Sequence, residues 1–242
     1  MTATGKSLRK KDVLVLLFAM GFPSLAAWLY FVKFAGSTVV QALYPLGKLI
    51  QFPLPVVWVR WGQSGTIRLR PTSARGVFSG SLLGLAIATG LLGLYFGYFK
   101  GSVYLEVMPE KLGAKITDFG LTEPWKYVAF GVLISVLHSA LEEYYWRWFV
   151  FGQLRRSLPL WLAAALSGLA FMAHHIIIID SYMRPEHFWT ATMFFSLSIA
   201  MGGILWAWLY ERTRSLVGPW LSHLLVDAGV WIVGYDQVFG LS

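Results

Sequence analysis

The chain has 242 residues, of which 57% are hydrophobic and only 13% are charged. This balance excludes an ordinary soluble domain and predicts an all-α polytopic membrane protein, with residues 1–242 forming a single membrane domain. The absence of cysteine excludes disulfides, thiolate metal ligands and a cysteine nucleophile. The net charge of +8 is spread over short loops, so it indicates orientation in a bilayer and no nucleic-acid partner.

Three apolar stretches predict spanning helices in the N-terminal half. A short basic head precedes the first, Val13 to about Val32, whose length favours a retained span over a cleaved signal peptide. The second, roughly Val39 to Val59, contains three prolines and is expected to be kinked. The third, Gly76 to Phe99, is rich in glycine, which permits close helix packing. Lys100 to Glu123 is too polar to span and predicts an external loop with a short helix.

Four further stretches predict spans in the C-terminal half, at about Lys126 to Leu154, Leu158 to Ile179, Trp189 to Tyr210 and Leu216 to Tyr235. Seven spans with a cytoplasmic N-terminus leave twelve lysines and arginines in loops on the cytoplasmic side and six on the other. This distribution supports seven helices with the C-terminus outside, and one re-entrant segment would change the number of spans. The short loops and single domain favour a prokaryotic protein of the bacterial or archaeal cell (inner) membrane.

A cluster of charged residues interrupts the fourth predicted span. Glu142, Glu143 and Arg147 lie inside a run that is otherwise lipid-soluble, where an ionisable group costs at least about 2.5 kcal/mol. Glu143 and Arg147 are four residues apart and can form an ion pair on one helix face. Glu142 lies four residues after His138 on another face and is therefore available for chemistry. The alternative to a functional site is that these charged residues only hold neighbouring helices together.

Two more spans contain imidazole and carboxylate side chains. His174 and His175 are adjacent, about 100° apart on a helix, so only one is expected to point squarely at a shared site. His223 and Asp227 are four residues apart and share a face. Carboxylate and imidazole are the groups that transfer protons between water and a leaving amine, and they also bind Zn²⁺. The sequence therefore predicts a polar site built from three helices.

These residues form three short motifs: Glu-Glu-x-x-x-Arg at Glu142, Glu143 and Arg147, Phe-x-x-x-His at Phe171 and His175, and His-x-x-x-Asp at His223 and Asp227. In this order and at these intervals, the motifs resemble those of the CPBP intramembrane proteases. That family includes the type II CAAX prenyl endopeptidases and the bacteriocin-processing and self-immunity proteins. The resemblance covers about Lys126 to Tyr235. Trp148 and Asp227 depart from it, because members commonly have glycine and asparagine there.

The resemblance implies three kinds of role: water activation by Glu142 and His175, support by Glu143 and Arg147, and oxyanion stabilisation or metal binding by His223 and Asp227. His138 and His174 are additional imidazoles, either of which could replace His175. A divalent metal such as Zn²⁺ would be held by Glu142, His175, His223 and Asp227. The absence of a His-Glu-x-x-His pattern favours a site without metal.

The function that follows is that of an intramembrane endopeptidase, of the glutamic or the metal-assisted type. Its expected partners are the lipid bilayer and a membrane-associated protein or peptide substrate. An alternative is a membrane protein without enzymatic activity, which would use the same buried groups for bacteriocin self-immunity or proton-coupled transport.

Overall fold

A computed structural model describes residues 8–67 and 72–241, so most of the basic head and part of the arginine-rich loop before Ala74 lie outside the described residues. Within these ranges the regular secondary structure is entirely helical, which confirms the predicted fold class. The helices are, in chain order, α1 (Lys10–Lys33), α2 (Thr38–Gln51), α3 (Leu54–Val57, continued by a π-helical turn at Trp58–Gly62), α4 (Ala74–Phe99), α5 (Met108–Asp118), α6 (Pro124–Leu154), α7 (Leu160–Ser181), α8 (Pro185–Thr213) and α9 (Val217–Phe239).

In the described part of the chain, six helices are long and apolar enough to cross a membrane, namely α1, α4, α6, α7, α8 and α9. The predicted count of seven is therefore not confirmed. The second predicted span is divided into α2 and α3, because Pro53 has no N–H to continue the helical hydrogen bonds. The last bond of α2 runs from the Phe52 N–H to the Lys48 carbonyl, and a new series begins with the Val57 N–H and the Pro53 carbonyl.

The divided segment nevertheless returns the chain to the end at which α1 begins. Arg9 Nη2 donates to the Gly62 carbonyl at 3.0 Å, and Arg155, just after α6, pairs with Glu211 near the end of α8 at the same distance. We call this end the N-terminal face. At the other end, the C-terminal face, Lys100 pairs with Asp236 of α9 at 2.9 Å. The last described residues therefore lie at the face opposite to the start of α1.

Glycine contacts bring two helix pairs close together. A Cβ atom on Gly80 of α4 would overlap the backbone of Gly218 in α9, and one on Gly203 of α8 would lie 3.1 Å from the Cα of Gly168 in α7. Such close approach is the packing that small residues permit between helices in membranes. It draws α7 and α9 inward, so that both helices pack near the acidic segment of α6.

Replacing Gly80 by alanine is expected to lower the free energy of unfolding by about 1–3 kcal/mol, because the new methyl group must push α4 and α9 apart. Gly90 is the matched control on the same helix, since a Cβ there meets nothing within 4 Å. Gly90→Ala should be neutral or slightly stabilising. Thermal unfolding of both variants in detergent measures the difference. Equal midpoints would contradict this packing.

Candidate active site

Three helices bring their polar side chains to one buried place. Glu142 projects from α6, His174 from α7 and His223 from α9, and each is at most 4% exposed. Glu142 lies between the two imidazoles, with Oε1 3.7 Å from Nε2 of His174 and Oε2 3.8 Å from Nε2 of His223. The residues expected to meet from separate spans therefore lie side by side in the bundle.

Imidazole rings from three helices surround the Glu142 carboxylate. His138 Nε2 lies 3.4 Å from Oε1, in the i, i+4 arrangement predicted for this helix. Oε2 is buried and lacks a hydrogen-bond partner among the described residues. A buried polar atom without a partner is costly, so this oxygen is suited to binding a water molecule or a substrate group.

His174 and His175 both lie next to Glu142, which differs from the expectation that only one would. Their ring centroids are 4.0 Å apart, and one ligand atom from each residue of the trio lies within 4.8 Å of the others. His175 Nδ1 donates to the Phe171 carbonyl at 2.9 Å, so its Nε2 is the nitrogen available to the site.

Glu143 connects α6 to α9 through a hydrogen bond that helical spacing did not predict. The Nδ1–H of His223 donates to Glu143 Oε1 at 2.9 Å, and this bond fixes the tautomer of the ring. His223 Nε2 then faces both Glu142 and Asp227, whose Oδ1 is 3.4 Å away. The other Glu143 oxygen lies 3.2 Å from Nε of Arg147, which is the predicted ion pair.

Aromatic rings enclose these charged groups. The Trp206 ring stacks on His223 with centroids 4.2 Å apart and planes at 17°, and its Nε1 donates to Ser222 Oγ at 2.9 Å. The Arg147 guanidinium lies 4.8 Å from the ring centroid of Phe171 and 5.1 Å from that of Trp206. Nothing in the sequence distinguished Trp206 from the other tryptophans of the apolar spans. Its contact with His223 in the structure identifies Trp206 as a residue of the site.

The helix that carries the acidic pair changes its winding immediately after Glu143. Residues Tyr144–Phe151 form π-helical turns, a feature that often accompanies functional sites. Within them Trp148 occupies the position where the resembled family commonly has glycine. Its ring is buried and stacks on Tyr144, with centroids 5.3 Å apart. The departure at Trp148 is thus accommodated by packing against Tyr144.

The site contains the types of side chain that bind a divalent metal. Glu142, His174 and His175 offer one carboxylate oxygen and two imidazole nitrogens within 4.8 Å of one another, which is the ligand combination of catalytic zinc sites. The second nitrogen of His175 is hydrogen-bonded, as is usual for a metal-ligating imidazole. The second nitrogen of His174 is buried and has no partner in the described ranges. The set therefore meets only part of the requirement for tight ligation.

The segment that contains this site matches a known protein family. Residues 124–229 match the family model described as type II CAAX prenyl endopeptidase Rce1-like. The matched segment begins with α6, ends within α9 and contains all three motifs. No match to the chain occurs among curated proteins. Over residues 124–229, the chain is therefore similar to the Rce1-like type II CAAX prenyl endopeptidases, in agreement with the resemblance of its motifs.

Proposed function

We propose that the protein is an intramembrane endopeptidase that hydrolyses a peptide bond of a membrane-associated protein or peptide, using a water molecule activated by Glu142. One observation carries this proposal. Glu142 is 1% exposed, faces imidazoles from its own helix, α7 and α9, and has an oxygen without a hydrogen-bond partner among the described residues. The similarity of residues 124–229 to the type II CAAX prenyl endopeptidase family model independently supports peptide-bond hydrolysis.

In the proposed reaction, Glu142 accepts a proton from water while the water oxygen forms a bond to the carbonyl carbon of the substrate. The C–N bond of the resulting tetrahedral intermediate then breaks, and Glu142 returns the proton to the leaving amine. His174 and His175 lie on the side of Glu142 where they can orient the water. His223, held by Glu143, is placed to stabilise the oxyanion.

Glu143 and Arg147 are positioning residues in this mechanism. Both are fully buried, and they connect α6 to the His223 ring through the Arg147–Glu143 ion pair and the hydrogen bond from His223 to Glu143. Their mutual ion pair offsets part of the cost of two charges in an apolar surrounding. The effect of Asp227 is more limited, because its side chain is 21% exposed at the edge of the cluster.

A bound divalent metal would be held by Glu142, His174 and His175 and would supply Lewis-acid polarisation of the substrate carbonyl. We propose the metal-independent form as the working mechanism, because His174 lacks the second hydrogen bond typical of a ligating imidazole. Treatment with 1,10-phenanthroline is therefore expected to change the cleavage rate by less than about twofold. Loss of activity that Zn²⁺ restores, together with one metal per chain by elemental analysis, would assign the metal-assisted form instead.

Trp206 is proposed to fix the plane of the His223 ring. Trp206→Leu removes the stacked ring and is expected to lower kcat by about 10-fold to 100-fold with little change in KM, because small displacements of catalytic groups are costly. Trp206→Phe keeps an aromatic face and should retain most of the rate. Trp208→Leu, on the same helix beside Arg212, is the control. A KM effect, or equal losses in the leucine and phenylalanine variants, would rule out the positioning role.

The proposed activity is tested with purified protein in proteoliposomes. The substrates are a pool of synthetic peptides carrying either one transmembrane helix or one lipid anchor, incubated in H₂¹⁸O. We expect products whose new C-terminal carboxylate contains one ¹⁸O atom, detected by mass spectrometry, and no products in protein-free vesicles. If no peptide of either class is cleaved by a protein that remains folded, the enzymatic assignment is wrong.

We further propose that the N-terminal face lies in the cytoplasm of a bacterial or archaeal cell. In the topology predicted from the sequence, twelve lysines and arginines belong to loops on the side of the N-terminus and six to loops on the other side, in line with the positive-inside rule. The test is protease accessibility of epitope tags placed at each terminus in intact cells. Protection of the N-terminal tag and digestion of the C-terminal tag are expected, and the reverse pattern would invert the orientation.

A further inference from the structure

A cavity of about 310 Å³ opens at the C-terminal face, away from the active site. It is lined by the end of α1, by α5 and by the end of α7. Its lining residue Ser181 follows His174 by seven positions, which corresponds to about 10 Å along a helix. None of the residues that line the cavity belongs to the Glu142 cluster. Whatever binds there would do so without touching the proposed catalytic groups.

The cavity has the charge and the donors of an anion site. Lys111 and Lys115 line it, while no carboxylate does among the described lining residues. The phenols of Tyr30 and Tyr182 contribute two further polar groups. Burial raises the pKa of Tyr182, so its hydroxyl stays protonated at neutral pH and can donate a hydrogen bond. Cations and hydroxyl donors without a competing carboxylate favour a ligand with anionic oxygens.

Both ammonium groups are held in place before any ligand arrives. Lys111 Nζ donates to the carbonyls of Ser181 and Met183 at 2.9 Å each, which leaves its third N–H for another acceptor. Lys115 Nζ lies 3.5 Å from the Tyr30 hydroxyl and 5.2 Å from the centre of that ring. Lysines tethered in this way lose less side-chain entropy when they bind a ligand.

The position of the cavity along the helices indicates where its ligand comes from. Tyr30 lies near the end of α1, and Tyr182 directly follows α7, at the level where aromatic side chains collect at the membrane surface. Phosphate groups of lipids occupy this depth, and basic pockets between helices bind their headgroups. We infer that the cavity binds a phosphate group, supplied by the headgroup of an anionic phospholipid.

Lipid binding in this cavity does not depend on the proposed endopeptidase function, so the experiment measures binding and not peptide cleavage. Full-length protein in detergent is titrated with phosphatidylglycerol, phosphatidylcholine or inorganic phosphate, and retained lipid is counted by native mass spectrometry alongside thermal unfolding. We expect phosphatidylglycerol to bind and to raise the unfolding midpoint, whereas phosphatidylcholine should bind at least about fivefold more weakly. Equal protection by inorganic phosphate would assign the site to a free anion and overturn the lipid source.

Lys115→Gln is the decisive variant, and it is expected to weaken phosphatidylglycerol binding about fivefold while leaving the midpoint of the lipid-free protein unchanged. Lys126→Gln removes an equal charge at the same face outside the cavity, where Lys126 pairs with exposed Glu123, and should bind lipid normally. Tyr182→Phe removes one donor and gives a second reading if Lys115→Gln does not fold. Unchanged lipid affinity in both cavity variants, or an equal loss in Lys126→Gln, would overturn the inference.

Discussion

Replacing Glu142 by glutamine is expected to lower the rate of peptide hydrolysis by about 10²-fold to 10⁴-fold, the usual contribution of a general base. Glutamine has nearly the same shape and can occupy the same buried space, but it cannot accept the proton from water. The folded protein should therefore survive while the chemical step fails. Initial rates in proteoliposomes measure the loss, and the thermal unfolding midpoint checks the fold.

The matched control for this prediction is Glu186→Gln, because Glu186 is 59% exposed at the C-terminal face. Its rate should equal that of the unmodified protein. Substitutions of two neighbouring histidines should lower the activity to different extents. His174 is 4% exposed and His138 is 38% exposed, so His174→Gln should cost far more activity than His138→Gln. A Glu142→Gln protein that keeps more than about a tenth of the rate would remove Glu142 from the catalytic role.

The second large effect concerns stability. Arg147→Met is expected to lower the free energy of unfolding by about 3–5 kcal/mol, because it leaves Glu143 buried without its cation. Arg147 is fully buried, and three of its nitrogens have no hydrogen-bond partner among the described residues beyond this ion pair. The measurement is thermal unfolding in detergent, with the yield of folded protein as a second readout.

Arg214→Met is the control for the arginine prediction. Arg214 pairs with Glu211 at 3.1 Å and its side chain is 46% exposed, so its loss should cost no more than about 1 kcal/mol. A double variant, Glu143→Gln with Arg147→Met, should recover part of the stability because neither charge is then left alone. If Arg147→Met unfolds at the same temperature as the unmodified protein, the ion pair does not support the site as described.

Local spacing predicted the pairs that lie within one helix. The contacts of Glu142 with His138, Glu143 with Arg147 and His223 with Asp227 each join residues four positions apart, and the structure contains all three. Such pairs depend only on the helical repeat, which is a property of the local chain. The convergence of the three helices was expected from the cost of leaving charges in an apolar surrounding.

The specific side-chain contacts between helices could not be predicted from the sequence. The hydrogen bond from His223 to Glu143 and the stacking of Trp206 on His223 depend on how α6, α8 and α9 are rotated and packed. Packing geometry of this kind arises from close approach at glycines, which spacing in one segment does not specify. The second predicted span, expected to be kinked at its prolines, is interrupted at Pro53, because proline has no N–H to continue the helical hydrogen bonds.

The role of Glu142 in holding the water that attacks the peptide bond is tested most directly by an experimental structure that shows ordered water. We expect a single water within hydrogen-bonding distance of Glu142 Oε2, with His174 or His175 as its second contact. A dry, apolar surrounding at Oε2, or a Glu142 side chain turned away from both imidazoles of α7, would contradict it.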